Sequence, residues 1–322
     1  MRNKKLTDKS LLKLTKLEIL DCWCNENFTD DGFENLVNIK ELKCEMNQKI
    51  TDKSLKKMNK LEILSCYYNQ NFTDKALQNL PNLTHLDCGN NKKFTDKSLI
   101  KMTKLKQLSL SSNKNITDES LIELINLTHL DCGYFNINFT DKSLSKLTNL
   151  IYLDCGDNEK FTDESLSKLT NLQGLNCELN KNFTDNVLSK LINLTHLHCE
   201  DNTNFTEKSL EKLTNLQSLS CEDNKNFTDN ALTKLTNLKY LLCGHNNNFT
   251  DKSLSKLTNL TYLNCDSNTN FTDKSLSELV KLKILDCGRN NNFTINGSLK
   301  YLSKLKKMIN GNNKLLPTLI KI

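Results

Sequence analysis

Apolar residues return along this chain on a beat of twenty-two positions. Within one beat a leucine is followed three residues later by another, and two further on by a cysteine, as at Leu150, Leu153 and Cys155. The alternation of Leu153 and Cys155 has the period of two expected of a short strand with those side chains turned inward. Asn158, Phe161, Thr162 and Asp163 follow, then an apolar pair spaced by three, Leu166 and Leu169. Threonine and aspartate just ahead of such a pair predict a helix start. The threonine accepts from free backbone N–H groups and the aspartate suits the helix dipole. Each unit reads strand, turn, short helix and return, and a unit copied this often predicts a stack rather than a globule.

Twelve of the thirteen cysteines mark the beat: Cys22, Cys44, Cys66, Cys88, Cys132, Cys155, Cys177, Cys199, Cys221, Cys243, Cys265 and Cys287, with Leu110 on the one vacant mark. At one position of neighbouring parallel strands, Cβ atoms stand about 4.8 Å apart and point the same way. Disulfides need about 3.5–4.5 Å and converging vectors, so these thiols are read as reduced, small apolar fillers. Cys24, off the beat beside Trp23, is expected to be exposed. One extra residue in Cys132–Phe139 predicts a bulged turn near Phe135, and a second insertion lies in Thr294–Ser298. The pattern divides one elongated domain into a half-repeat cap over 1–16, a solenoid over 17–313 and a C-terminal cap over 314–322. In the last of these, Leu315–Ile320 looks like a lid.

The string L-x-x-L-x-C-x-x-N is similar to the leucine-rich-repeat signature, L-x-x-L-x-L-x-x-N/C-x-L. It covers nearly the whole chain in fourteen strands, each with asparagine at the ninth position, from Asn25 through Asn136, Asn158 and Asn290 to Asn313. The resemblance implies an α/β leucine-rich-repeat solenoid of about fourteen repeats, curved, with a parallel sheet on the concave side and short helices on the convex side. It implies an asparagine ladder bonding the turn backbone, and a spine of Phe28, Phe72, Phe94 and their equivalents, with Ile50 and Ile116 in two repeats. The repeat length and Leu-Thr-Asn-Leu joints resemble internalin and phosphatase-regulator repeats. The Phe-Thr-Asp turn and the cysteines resemble F-box-type repeats. Heavy Asn, Lys and Ile use also resembles repeat proteins of AT-rich genomes, including giant viruses.

Composition narrows the function. No window holds the ~18 uninterrupted apolar residues of a membrane span, and the stretch from Met1 to Asp8 lacks the apolar run of a signal peptide. Asn-Phe-Thr or Asn-Ile-Thr sequons stand at Asn27, Asn71, Asn115, Asn138, Asn182, Asn204, Asn226, Asn248, Asn270 and Asn292. Glycans at so many packed turns are unwelcome, so the expected location is cytoplasmic, or the host cytoplasm for a viral chain. No Gly-rich phosphate loop, zinc Cys pair or nucleophile elbow occurs, which argues against an enzyme and against a cofactor. His196-x-His198 beside Glu200 and Asp201 could chelate a metal. A polar binding surface produces such a pair easily, and no metal is expected.

In the nine-residue strand frame, positions 3, 5, 7 and 8 are expected to leave the concave sheet. They hold all five histidines, Trp23, and six of the seven tyrosines. They also hold fourteen acids against Lys43, Arg289 and Lys307, although the chain as a whole is +6. The candidate partner-binding residues are Trp23, Tyr67, Tyr68, Asp87, Asp131, Tyr134, Tyr152, Asp154, Glu178, His196, His198, Glu200, Asp201, Glu222, Asp223, Tyr240 and Tyr262. Aromatics supply anchoring area and carboxylates supply steering, so the face suits a basic protein segment and repels nucleic-acid phosphates. Acids alone could merely keep an unused sheet soluble, but solubility does not call for aromatics and histidines. The leading reading is a non-enzymatic protein-interaction module. Alternatives are a ubiquitin-ligase substrate adaptor, against which counts the lack of an F-box-like segment before residue 17, and a metal-binding or enzymatic protein. The lysine-rich helix side is read as a solvated face, with phosphate-rich partners as the other possibility.

Overall fold

The computed structural model describes residues 6–134, 138–294 and 297–309, in two compact units, Met1–Leu172 and Gln173–Ile322. The first holds strands β1 (Ile19–Asp21), β2 (Glu41–Lys43), β3 (Ile63–Ser65), β4 (His85–Asp87), β5 (Gln107–Ser109), β6 (His129–Asp131) and β7 (Tyr152–Asp154). They pair in chain order, all parallel, with Leu20, Leu42 and Leu64 in register. The second holds β8 (Gly174–Asn176), β9 (His196–His198), β10 (Ser218–Ser220), β11 (Tyr240–Leu242), β12 (Tyr262–Asn264), β13 (Ile284–Asp286) and β14 (Lys307–Ile309). These are parallel too, with Leu197, Leu219 and Leu241 in register. The extra residue after Cys132 leaves the ladder intact, since Leu130 still faces Leu153. The bulge expected at Phe135, the centre of the Thr294–Ser298 insertion, Asn136, Asn313 and the Leu315–Ile320 lid lie outside the described residues.

Four-residue helices such as Asp52–Leu55 and Asp251–Leu254 cross the other side of each unit. Helices this short do not stand alone, because one turn cannot offset the cost of nucleation. Local caps and bonds between repeats hold them. Thr51 and Thr250 are extended N-caps whose hydroxyls accept from the amides of Lys53 and Lys252.

The aspartate after the threonine does more than meet the dipole. Asp229 accepts from the Thr250 amide at 2.8 Å, the Thr250 hydroxyl at 2.6 Å and the Ser253 hydroxyl at 2.6 Å, all in the following repeat. Asp30 does the same with Thr51 and Ser54, and Asp8 with Thr29. Partial burial pushes the Asp229 and Asp30 carboxyls up, but the hydroxyl and amide donors outweigh it and hold both below the usual carboxylate value. Thr-Asp-x-Ser is therefore a clasp from one repeat to the next.

The inward residues are closely covered. Phe72, Phe94, Phe161, Phe205 and Phe249 are fully buried, as are Ile50 and Ile116 and the inward leucine of every central strand. Asparagine amides run between repeats at three positions of the unit. At the ninth position, buried Asn246 donates to the Asn224 carbonyl at 2.7 Å and accepts the Asn248 amide at 3.0 Å. In the Asn-Phe-Thr turn, Asn248 donates to the Lys225 carbonyl at 2.6 Å; before the strand, Asn237 donates to the Thr214 carbonyl at 2.9 Å. Only the first of these rows was expected.

All thirteen cysteines are free and buried. The thiols of Cys199 and Cys243 donate to strand carbonyls of the next repeat, Ser220 and Asn264, at 3.4 Å. Burial pushes the thiol of Cys66 well up, and that of Cys287 to about 11. Cys24 corrects the sequence reading: it is 6% exposed. The eighth position is left-handed, with φ of +58° at Cys24, and the Cys24 amide donates to the Glu45 carbonyl at 2.9 Å. A side chain as short as cysteine stays within that turn, whereas longer residues such as Tyr68 reach solvent. Native protein should accordingly consume no thiol reagent on the timescale of minutes, and thirteen equivalents after unfolding in guanidinium. Rapid labelling of one native cysteine, located by mass spectrometry, would contradict this account.

Candidate functional site

Strand alternation turns positions 3 and 5 to the face opposite the helices, as Leu197 and Leu219 turn inward. Position 8 departs from the expected geometry. Tyr68, Asp201, Asp223 and His245 have φ between 53° and 57°, a left-handed turn that carries them to the rim where the chain leaves the sheet.

In the first unit, Trp23 is 57% exposed, and Tyr68 and Tyr134 are also open to solvent. Tyr67 lies 6.4 Å from Tyr68 between ring centroids and covers Gly89, where an added Cβ would come within 2.9 Å of the Tyr67 ring. The His129 and Tyr152 rings stack at 6.2 Å, and burial followed by the Asp154 charge raises the Tyr152 phenol. The aspartates here have local partners. Asp87 accepts from the Gly89 amide at 3.3 Å and the Ser65 hydroxyl at 3.2 Å. Asp131 accepts from Ser109 and Ser111 at 2.9 Å, and Asp154 from the Gly156 amide at 3.2 Å. Position 5 thus closes the end of its own strand as an Asx turn, and burial raises the Asp87 carboxyl.

In the second unit the acids cluster at the rim. Asp201 and Asp223 are exposed, while Glu178, Glu200 and Glu222 are partly covered. Glu200 accepts the Ser220 hydroxyl. Glu222 reaches over Gly244 to accept from Asn264 at 2.8 Å, and a Cβ at Gly244 would meet Glu222 Oε1 at 3.1 Å. His196 Nδ1 pairs with the Thr195 hydroxyl at 2.9 Å. Burial, then the His198 charge, lowers the His196 pKa, and burial lowers that of His198, so both imidazoles are neutral at neutral pH. Tyr240 is 40% exposed, its ring 6.3 Å from that of Tyr262. Tyr262 is only 9% exposed, a correction to its placing as an open anchor, and burial raises its hydroxyl to about 12. Its ring is flanked by Tyr240 and Ile284 on the strands to either side.

In each unit the anticipated residues at positions 3 and 5 therefore lie on the face opposite the helices, and those at position 8 lie at its rim. The serines that hold Asp131 and Glu200 and the seventh-position glycines that seat neighbouring side chains were not anticipated. Glycine recurring at position 7 was the available signal. Among the described residues no group of three His, Cys, Asp or Glu side chains is arranged to hold a metal, His196 and His198 included.

No protein-family model and no curated protein matches the chain. Solved structures do. An internalin, InlF of Listeria monocytogenes, is 27% identical with a TM-score of 0.66, over 90% of this chain and 87% of its own. The functional domain of InlJ from the same organism, which includes a cysteine ladder, is 26% identical with a TM-score of 0.63, over 95% and 70%. Rad7, in its complex with Elc1 from yeast, is 20% identical with a TM-score of 0.66, over 95% and 84%, and speaks for the fold alone. Parallel three-residue strands on a twenty-two-residue beat, turned by buried asparagine and backed by one-turn helices, are the features of this chain that accompany that likeness, and the chain has the leucine-rich-repeat fold.

Proposed function

We propose that the chain is a non-enzymatic protein-interaction module that engages a basic segment of its partner through the face opposite the helices. The observation that carries this is the uneven copying of the repeat. Helix-side segments recur almost unchanged, with Asp-Lys-Ser-Leu at Asp52, Asp96, Asp141, Asp251 and Asp273. Position 3, by contrast, runs Gly174, His196, Ser218, Tyr240, Tyr262, Ile284, and position 8 runs Leu179, Asp201, Asp223, His245, Ser267, Arg289. Duplication copies a whole repeat, so a face needed only for solubility would have stayed as uniform as the helices. Diversity confined to one face of a constant frame fits recognition.

Exposed Trp23, Tyr68 and Tyr240 provide anchors, and Asp201 and Asp223 provide steering that weakens with salt. Neighbours of the same fold include Toll with Spatzle and a plant receptor with the peptide RGF2; TLR13 with an RNA is another. For this chain the acidic face disfavours RNA. A cytoplasmic location fits as well. No helix of the described residues is long and apolar enough to cross a membrane. Glycans on Asn204, Asn226 and Asn248 would stand on successive repeats about 5 Å apart, too close for bulky sugars.

Reversing Glu200 and Asp223 to lysine should lower partner recovery in a quantitative pull-down at least about tenfold, a loss of ~1.4 kcal/mol. Recovery unchanged beside wild type, with an unchanged thermal melt, would sink the face as the binding surface.

A further inference from the structure

One residue of the open face in Gln173–Ile322 is unlike the rest. Strand register places Ser218 in a row between His196 and Tyr240. It is 1% exposed, and its hydroxyl has no hydrogen-bond partner. A hydroxyl kept from water without a partner costs stability. Packing does not require it, because Leu219 fills the core beneath this strand and position 3 carries Gly174 or Ile284 elsewhere in the unit. With so small a side chain, Ser218 leaves a gap between the two rings once the neighbours that cover it move aside. Adjacent strands are about 4.8 Å apart, so the His196 and Tyr240 rings rise from backbones about 10 Å apart. A flat group touching a ring on each side needs about 7 Å.

We propose that this gap takes the guanidinium of an arginine in the partner segment, stacked between His196 and Tyr240 and donating an N–H to Ser218 Oγ. Entry requires the side chains that cover Ser218 to move aside, with Tyr240, 40% exposed, on the adjacent strand. The carboxylates of Glu200, Asp201 and Asp223 at the same strand ends draw in a cation, and the neutral His196 does not oppose it. Lysine fits poorly, since its compact, strongly hydrated ammonium has no plane to lay against two rings. The inference rests on the basic-segment reading and names the residue type read at this point.

Fluorescence anisotropy with two short peptides of equal charge, one built on arginine and one on lysine, tests it. Wild type should bind the arginine peptide about tenfold more tightly. Ser218→Val, of similar size but without an acceptor, should bring that preference below about threefold while leaving the lysine peptide unaffected. Tyr240→Leu, which keeps an apolar side chain at a half-open position, should do the same, and Glu200→Gln should weaken both peptides alike. Equal affinities in wild type, or an arginine preference that survives both Ser218→Val and Tyr240→Leu, overturns the slot and leaves the basic-segment reading standing. If neither peptide binds, both readings are overturned.

Discussion

Replacing Asn246 by leucine should destabilise the protein by about 3–5 kcal/mol, although the two side chains are nearly the same size. Asn246 is fully buried. Its amide nitrogen donates to the Asn224 carbonyl at 2.7 Å and to the Phe227 carbonyl at 3.4 Å, and its oxygen accepts the Asn248 amide at 3.0 Å. Leucine fills the volume and leaves these backbone groups buried without partners. Each orphan costs about 1–3 kcal/mol, far more than the net value of one bond, because water cannot take the vacated place. The same change at Asn248 should cost less than about 1 kcal/mol. That side chain is exposed, and water can replace its bond to the Lys225 carbonyl. Urea unfolding followed by circular dichroism separates the two cases. Similar losses at Asn246 and Asn248 would mean that the buried amide is not what holds the turn.

Much of this fold could be read from spacing alone, because a repeat states its period many times over. Leu153 and Cys155 fixed which strand residues turn inward, and Phe161 fixed the spine; all three are fully buried. Asn158 marked the turn, and the neighbouring Lys160 amide is indeed bonded to its side chain. What spacing could not show was the partner of each polar group. Asp229 looked like a helix-dipole residue, because an argument confined to one repeat cannot see Thr250 and Ser253 in the next. Asp131 and Glu200 looked like free acids for the same reason, their serine partners lying twenty-odd residues away. Cys24 was misjudged because alternation was extended one residue too far. The strand has already given way to a left-handed turn at that position. Tyr262 was placed on the right face but not beneath its neighbours, since the crowding of rings on adjacent strands depends on which residues flank them.

Removing the clasp should be nearly as costly, and its pH dependence should identify it. Asp229→Ala deletes three bonds to a charged acceptor, from the Thr250 amide, the Thr250 hydroxyl and the Ser253 hydroxyl. Hydrogen bonds to charged groups are worth about 1.5–3 kcal/mol each, less where water can substitute, and Asp229 is partly exposed. The expected loss near neutral pH is about 3 kcal/mol. Because the carboxyl is held below its ordinary value, its stabilisation is complete above the unfolded-state pKa of about 4 and is lost as pH falls through the folded value. The gap between wild type and Asp229→Ala should therefore begin to narrow on acidification below about pH 4, whereas a loss of packing would persist unchanged. The protein also contains a weakened clasp of its own. Glu207 stands where the repeats on either side have aspartate, and among the described bonds it accepts only the Thr228 hydroxyl, at 2.6 Å; Ala231 replaces the serine. Glu207→Asp should restore the amide bond and stabilise the protein by about 1 kcal/mol, with Ala231→Ser adding to it in the double variant. Each clasp joins neighbouring repeats, so these changes act on the coupling between repeats rather than within them. Urea transitions at pH 7 and pH 3 would show it as a change in sharpness as well as in midpoint. A stabilised Glu207→Asp beside an Asp229→Ala defect that shrinks in acid is the pair of results that the clasp requires.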